Sequence, residues 1–431
     1  MQSRPVVIAG AGIAGLTAAL AFARHGVGVR IRERSPVLEE VGAGLQISPN
    51  ATRILDRLGV LDLVSAAAVR PEAVVLRDAA TLVERARVPL GAAAERRWKA
   101  PYLVAHRADL QSALLARASQ SPLIEIATGA TVDTVEARAD GLSVSVMQGG
   151  IVSHEQTGLF VAADGVWSDS RRLVGPHEKS RFSGELAWRT TIPVDSELGR
   201  QFAALTSLAT VTTFLHPGFH LVAYPVRAGH AVNLVAFTPG TAIAEQWSGE
   251  TDADALRRAM QGTSPALSRL VQEAGPWTVW PLHTVDPTRP WTSASGIVLI
   301  GDAAHAMTPF AAQGAAMAIE DACTLADAVV SASNMAASNM ANVLSQWEAA
   351  RKIRVAKVAR RGALNHFAWH AAGPVALARN LFLRLKSPAS LAADLDWLYG
   401  WTPPDWTPPV STPSDSTPPD STPSGRPGRR L

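Results

Sequence analysis

The stretch Val6-Val7-Ile8-Ala9-Gly10-Ala11-Gly12-Ile13-Ala14-Gly15 decides how the chain begins to fold. Four apolar residues form a short strand, and the glycines after it fall in a G-x-G-x-x-G pattern that opens a helix over Ile13 to His25. Each glycine has a physical task. Gly10 makes the tight turn, Gly12 lets the backbone approach a pyrophosphate, and Gly15 lets helix and strand pack closely. Ala14 lies in the first helical turn, where the N-terminus stabilises negative charge. A second strand, Val29 to Glu33, ends on a carboxylate about 20 residues further on, where an acid accepts hydrogen bonds from ribose hydroxyls. Strand, helix, strand and acid together specify a βαβ unit for a dinucleotide.

Around this unit the chain has 431 residues, 47% hydrophobic and 18% charged, which offers enough apolar surface to exclude disorder as a whole. At roughly 100 to 200 residues per domain, two or three domains are expected. Lys and Arg number 40 against 37 Asp and Glu, and a net charge of +3 excludes a polycation that seeks nucleic acid. The single cysteine, Cys323, excludes an intrachain disulfide or a cysteine-rich zinc site and fits the cytoplasm. Cys323 itself reads as a small buried hydrophobe in mid-helix. Met1 to Pro5 carries no signal-peptide pattern, and no apolar run is long enough for a membrane span.

The pattern then changes along the chain. A hairpin from Ala73 to Val88 and strands at Leu186 to Pro193, Val211 to Leu215, Phe219 to Val226 and Ala231 to Phe237 predict a second sheet. Thr131 to Asp164 reads as a small antiparallel meander, with a Gly149-Gly150 turn and one last run from Ile151 to Ala163. An α/β pattern returns with a strand at Gly296 to Ile300 and an Ala-rich helix from near Gln313, followed by helices at Val343 to Arg361 and Val375 to Trp397 with Arg on their polar faces. The expected fold is therefore α/β, a Rossmann-type domain with an inserted, mostly antiparallel sheet domain and C-terminal helices. The first would comprise residues 1–72, 100–180 and 276–370, the second 73–99 and 181–275, and the helical segment 371–401. Nine of the 29 prolines follow Trp401, so 402–431 reads as a disordered Pro/Ser/Thr-rich tail.

Two further strands end on acids, Val161-Ala162-Ala163-Asp164-Gly165 and Val298-Leu299-Ile300-Gly301-Asp302. With the glycine fingerprint, in this order and spacing, these segments resemble the class A flavoprotein monooxygenases. The group containing salicylate hydroxylase, 3-hydroxybenzoate 6-hydroxylase and 6-hydroxynicotinate 3-monooxygenase is the nearest in look. Val41-Gly42-Ala43-Gly44-Leu45-Gln46, Ser48-Pro49-Asn50-Ala51, His106-Arg107-Ala108-Asp109-Leu110, Ala187-Trp188-Arg189 and Trp397-Leu398-Tyr399-Gly400 extend the likeness over residues 1–401.

The resemblance implies FAD as cofactor. Gly10, Gly12, Ala14 and Gly15 would cradle its pyrophosphate, and Glu33 would bind the adenosine ribose. Arg107 would meet the pyrophosphate or ribityl region and Asp302 the ribityl chain or pyrophosphate, with Arg34, Gly42, Ala43 and Asp164 completing the set. The helix opened by Gln313, Gly314 and Ala315 would face the N1/O2 edge of the reduced flavin. On the substrate side, strand alternation puts His220 and Tyr224 on one face, and they are the candidate catalytic pair. Gln46, Arg189 and Phe310 are the candidate substrate-binding residues; the family often has His or Gln within the segment aligned with Met307 to Phe310, where this chain has Pro309 and Phe310. His305 reads as structural or flavin-proximal, and no metal ligand set is expected.

The implied reaction is hydroxylation of a small aromatic (a phenol, an aromatic acid or an N-heteroaromatic) by O2, through a flavin C4a-hydroperoxide. NADH or NADPH would be the reductant, with a lean to NADH; Arg32 and Arg34 are the residues that could meet a 2′-phosphate. A homodimer is compatible with it. The rival readings are a flavin monooxygenase that epoxidises or oxidatively decarboxylates a natural-product intermediate, an NAD-dependent dehydrogenase, and a non-catalytic nucleotide-binding adaptor.

Overall fold

The computed structural model describes residues 4–38, 44–176, 179–241, 249–250, 254–333 and 340–404. Gly42, Ala43 and most of the expected tail lie outside the described residues. Five parallel strands form one sheet in the order Ile297–Leu299, Phe160–Ala162, Val6–Ala9, Val29–Glu33, Ile124–Thr128. Val6–Ala9 is central and buried along its whole length, which is why it reads as an unbroken apolar run. The helix Ile13–Arg24 packs tightly on it, and a Cβ at Gly15 would stand 1.9 Å from the Gly10 carbonyl oxygen. Because the strands are parallel, Gly10, Glu33, Asp164 and the Gly301-Asp302 pair all leave from the same edge of the sheet. Ligands bind such sheets at that carboxyl edge.

The meander is present as Ala130–Arg138, Gly141–Gln148 and Ile151–Thr157. The single run expected from Ile151 to Ala163 is two strands, since the chain turns at Gly158 and Phe160–Ala162 joins the parallel sheet. Thr157 fixes that turn: its hydroxyl donates to the Pro5 carbonyl at 2.7 Å and accepts from the Leu159 N–H at 3.1 Å.

An eight-stranded sheet runs in the order Gly249–Glu250, Thr278–Thr284, Arg181–Pro193, Ala231–Pro239, Phe219–Val226, Thr210–His216, Ala73–Asp78, Glu84–Pro89. Thr278–Thr284, beyond the expected boundary at 275, belongs to this sheet through its pairing with Arg181–Pro193. The register sorts its side chains into two faces. Arg189 lies opposite Val235, Val235 opposite Val222, His220 opposite Phe237, and Tyr224 opposite Asn233. Val222, Tyr224, Val235, Phe237 and Trp280 on that face share one hydrophobic core with the parallel-sheet unit. The alternate residues Phe219, Leu221, Ala223, Leu234 and Ala236 enclose a second core with Phe202, Leu267 and Leu270. The sheet thus presents His220, Tyr224 and Arg189 toward the nucleotide-type unit.

The helix Gly314–Ser333 is followed by Met340–Trp369. The expected helix from Val375 to Trp397 is three: Gly373–Leu385, Pro388–Ala393 and Asp396–Tyr399. Pro388 cannot supply the amide that would continue the first, and the Ser387 hydroxyl caps the second by accepting from the Ser390 N–H. Arg351 and Arg354 do not occupy a polar outer face as the pattern implied. They point inward, drawn by buried acids on the Gly314 helix.

Candidate active site

The fingerprint loop is built as a cradle. Gly10 has φ +102°, and a Cβ there would lie 2.5 Å from the Ala163 carbonyl oxygen. At Gly12, by contrast, a Cβ would meet nothing within 4 Å, and the same holds at Gly314. The first amide bonded inside the first helix is Leu16 N–H, to the Gly12 carbonyl, and Met317 N–H to Gln313 plays that part in the other helix. The earlier amides of both first turns therefore lack partners within their helices. Both turns lie beside the Gly-Asp turn, because a Cβ on Gly301 would come 3.1 Å from Ala14 Cβ and 3.2 Å from Ala318 Cβ.

Three carboxylates border this cradle. Glu33 accepts from the Ala11 N–H at 2.7 Å and from the Ser35 N–H at 2.8 Å, which locks it between loop and strand end. Asp164 accepts from the Ser170 hydroxyl at 2.8 Å, while its buried Oδ1 has no protein partner. Asp302 is exposed, and Arg171 holds the carbonyls of Asp302 and Ala303 at 3.1 and 2.8 Å. Arg107 starts the helix Arg107–Ser119, which Gln111 ties to the loop by donating to the Ala11 carbonyl at 3.0 Å. Open space at two glycines, two helix N-termini and an unpartnered buried carboxylate oxygen fit a dinucleotide: amides for its phosphates, acids for its hydroxyls. Arg34 is exposed beyond Glu33. Arg32, considered for a 2′-phosphate, is instead buried and paired with Glu155 and Glu125.

Gln313 turns its side chain away from the cradle. Its amide donates to Ser48 Oγ at 2.9 Å and accepts from Asn50 Nδ2 at 3.2 Å, so only its backbone faces the helix start. Asn50 also donates to Glu320, which Arg351 and Arg354 contact at 2.8 Å. Arg351 reaches on to Asp321 at 2.7 Å, and Asp321 accepts from the Gly301 N–H at 3.0 Å and pairs with His305 Nε2 at 2.5 Å. A buried polar chain thus ties the start of the Gly314 helix to the Gly-Asp turn, and His305 is one of its structural members. Burial pushes the Asp321 carboxyl up, but His305, Arg351 and the Gly301 amide outweigh it and hold it at about 2. Burial likewise pushes the Cys323 thiol up to about 12, as expected of an inert packed side chain. Among the described residues no cluster of His, Cys, Asp and Glu could hold a metal ion.

The facing wall is the inner face of the large sheet. His220 is fully buried, stacks on Phe237 with ring centres 4.6 Å apart, and meets the edge of Phe310 at 5.3 Å. Its Nδ1 lies 2.9 Å from His370 Nε2, whereas its Nε2 has no hydrogen-bond partner. Burial, with His370 and His366 nearby, pulls His220 well below the usual histidine range. Tyr224 sits two register positions further along the same face. Gly44 makes room for it, since a Cβ there would lie 2.5 Å from Tyr224 Cε2, and Asn233 Oδ1 anchors the Gly44 amide at 3.0 Å. Arg189 stacks on Trp280 at 4.8 Å with its Nε unpartnered. Burial and the charge of Arg107 pull it down to about 10, while Tyr224 opposes them. Burial in turn pushes the Tyr224 phenol up, against Arg189. His220 and Phe310 are thus brought together, as are Tyr224 and Arg189, while Gln46 is held by the Tyr102 hydroxyl at 2.6 Å.

The family described as FAD binding domain matches residues 3–362. The chain belongs to that family, and within it to the FAD-dependent aromatic hydroxylases. It is 31% identical over 399 residues to a 3-hydroxybenzoate 6-hydroxylase of Polaromonas naphthalenivorans, covering 92% of this chain and 96% of that one. With the 3-amino-4-hydroxybenzoate 2-monooxygenase PtnB3 of Streptomyces platensis the identity is 32%, over 92% of this chain and 95% of the relative. A solved salicylate hydroxylase substrate complex shares the fold with a TM-score of 0.77 at 23% identity, covering 93% of this chain and 96% of that chain.

Several residues of this monooxygenase's inner wall escaped the sequence reading. Asn233 is the one polar residue inside the apolar run of its strand, and counting by twos from Phe237 would have placed it beside Tyr224. His366 and His370, spaced four apart, share one face at the end of the Met340–Trp369 helix, a signal that period-3.6 counting could have raised. Glu185, which pairs with His366 at 3.0 Å, carried no local signal.

Proposed function

We propose that this FAD-dependent monooxygenase hydroxylates a small phenolic aromatic acid with O2 and NAD(P)H, in the cytoplasm. The observation that carries the reading is His220, a buried imidazole whose Nε2 has no protein partner, on the sheet face turned toward the nucleotide cradle. The names of the curated relatives, which act on hydroxylated benzoates, support the substrate class. The single cysteine suits a reducing compartment.

FAD, when bound, supplies hydride acceptance from NAD(P)H and the activation of O2. Gly10, Gly12, Ala14 and Gly15 would hold its phosphates, Glu33 and Asp302 its hydroxyls, and Arg107 its negative charge. The free first-turn amides of Gly314, Ala315 and Ala316 would hold negative charge at the cofactor's reactive end. His220 Nε2 accepts the phenol proton, which makes the ring electron-rich, a role worth about 10²–10⁴-fold in rate. Tyr224 stays protonated and donates to the substrate's oxygen. Arg189 meets the carboxylate, and Phe237 and Phe310 exclude water. We also propose that 1–72, 100–180 and 276–370 form the cofactor unit apart from Thr278–Thr284, with 73–99 and 181–275 as the substrate unit.

The test is a panel containing 3-hydroxybenzoate, salicylate and 3-amino-4-hydroxybenzoate, screened for stimulated oxidation of NADH and NADPH with the product identified. A ring-hydroxylated product, with kcat lowered roughly 100-fold or more in His220→Ala, is expected. A decarboxylated or epoxidised product, or full turnover by His220→Ala, contradicts the reading.

A further inference from the structure

The imidazole edge of His220 that faces away from the substrate side is not idle. Its Nδ1 lies 2.9 Å from Nε2 of His370, which follows the last turn of the Met340–Trp369 helix. His220 is fully buried, whereas His370 is partly exposed. A direct nitrogen-to-nitrogen contact requires one ring to donate and the other to accept. Phe237, Phe310 and Trp369 close around His220, with ring centres 4.6, 5.3 and 4.9 Å away. Among the described residues His370 is the polar side chain that connects this closed ring toward the surface.

We propose that His370 carries the substrate's proton from His220 to solvent. The inference rests on His220 being the base. The substrate O–H bond breaks as the Nε2–H bond of His220 forms. The Nδ1–H bond of His220 then breaks as the Nε2–H bond of His370 forms, and the Nδ1 proton of His370 leaves to water. No electrons change hands, and one proton passing back, from water to His370 Nδ1, from His370 Nε2 to His220 Nδ1, and from His220 Nε2 to the product's oxygen, restores the starting tautomers. His370 touches no substrate and acts through His220, so it is a positioning residue that also provides the exit.

The surroundings suit carriers that do not store charge. Burial, followed by His366 and His216, holds His370 at about 4, so both rings are neutral near pH 7. His366 lies 4.3 Å from His370, ring to ring, and is tied to Glu185, whose carboxyl burial pushes up against His366. His216 also acts on His370, with Asp78 acting on His216 in turn, and Asp78 and Arg85 acting on Arg379. An imidazolium left on His220 would face these neighbours in a site that penalises its charge, and an exit relieves it.

The experiment uses the full FAD-loaded chain, labelled with ¹⁵N-histidine, and its His370→Gln and His370→Phe variants. Nitrogen NMR reads the tautomers without substrate: His220 protonated on Nδ1 is expected, and His220 protonated on Nε2 overturns the proposal. Turnover of the panel phenol with the highest wild-type rate is then measured. In His370→Phe, kcat falls roughly tenfold or more with KM nearly unchanged, and added imidazole restores it in a concentration-dependent way. If both variants keep wild-type kcat and show no imidazole dependence while His220→Ala is inactive, the relay is wrong and the base stands. If His220→Ala is itself fully active, the base assignment fails first.

Discussion

Gly12 has open space where a side chain would go, so Gly12→Val costs the folded protein little but fills the cradle. Its expected signature is a thermal midpoint close to wild type with FAD binding weakened by roughly tenfold or more, about 1.4 kcal/mol, in a fluorescence titration. Asp321 tests the buried polar chain through pH. Its folded value is held below the unfolded one, so the stabilisation is complete above the unfolded value and is lost as pH falls toward about 2. The shift from 3.8 to about 2 is worth roughly 2 kcal/mol. Urea unfolding compared at about pH 6 and about pH 3 should show wild type losing more stability than Asp321→Asn, which has no such proton to gain. The fingerprint glycines and terminal acids were legible in the sequence because their chemistry is local. Asp321 was not, since its partners Arg351 and His305 come from distant turns and nothing in the helical pattern marks which acids turn inward.

Elements were legible where local pattern and tertiary environment agree. Phe219–Val226 was bounded from its sequence alone because alternation, β-branched content and a following turn coincide. Ile151 to Ala163 was misjoined because a short loop around Gly158 is all that separates a mostly exposed strand from a fully buried one, and pairing shows that they belong to different sheets. Register also explains what the short strand Gly44–Ile47 does. It pairs with Leu103–His106 and lies against Tyr224 and Asn233, which couples the Arg107 helix to the large sheet. Gly44→Ala would drive a methyl group to 2.5 Å from Tyr224 and 3.0 Å from Asn233 Cγ, so the strand must lift from the sheet. The expected outcome is a loss of about 1–3 kcal/mol in urea unfolding, with a raised KM for the aromatic and a smaller change in FAD affinity. An unchanged KM would show that Tyr224 lies outside the substrate's reach.

The whole molecule places a parallel sheet's carboxyl edge against one face of a mostly antiparallel sheet, and the first core runs continuously between them. That juxtaposition was only partly open to sequence reading. Nucleotide-type segments bracketing sheet segments implied a discontinuous cofactor unit, but which face of the large sheet turns inward depends on register across Arg181–Pro193, Ala231–Pro239 and Phe219–Val226. The proposed function draws on both sides of that contact, with the acids and free amides on one and His220, Tyr224 and Arg189 on the other. The most direct test supplies the FAD-loaded protein with isotopically heavy O2, a reduced nicotinamide and the hydroxybenzoate panel, and weighs the aromatic product. One heavy oxygen on the ring, dependent on FAD and on His220, is the predicted result. Nicotinamide oxidation that yields only peroxide with every aromatic tested, and no labelled ring, would contradict it.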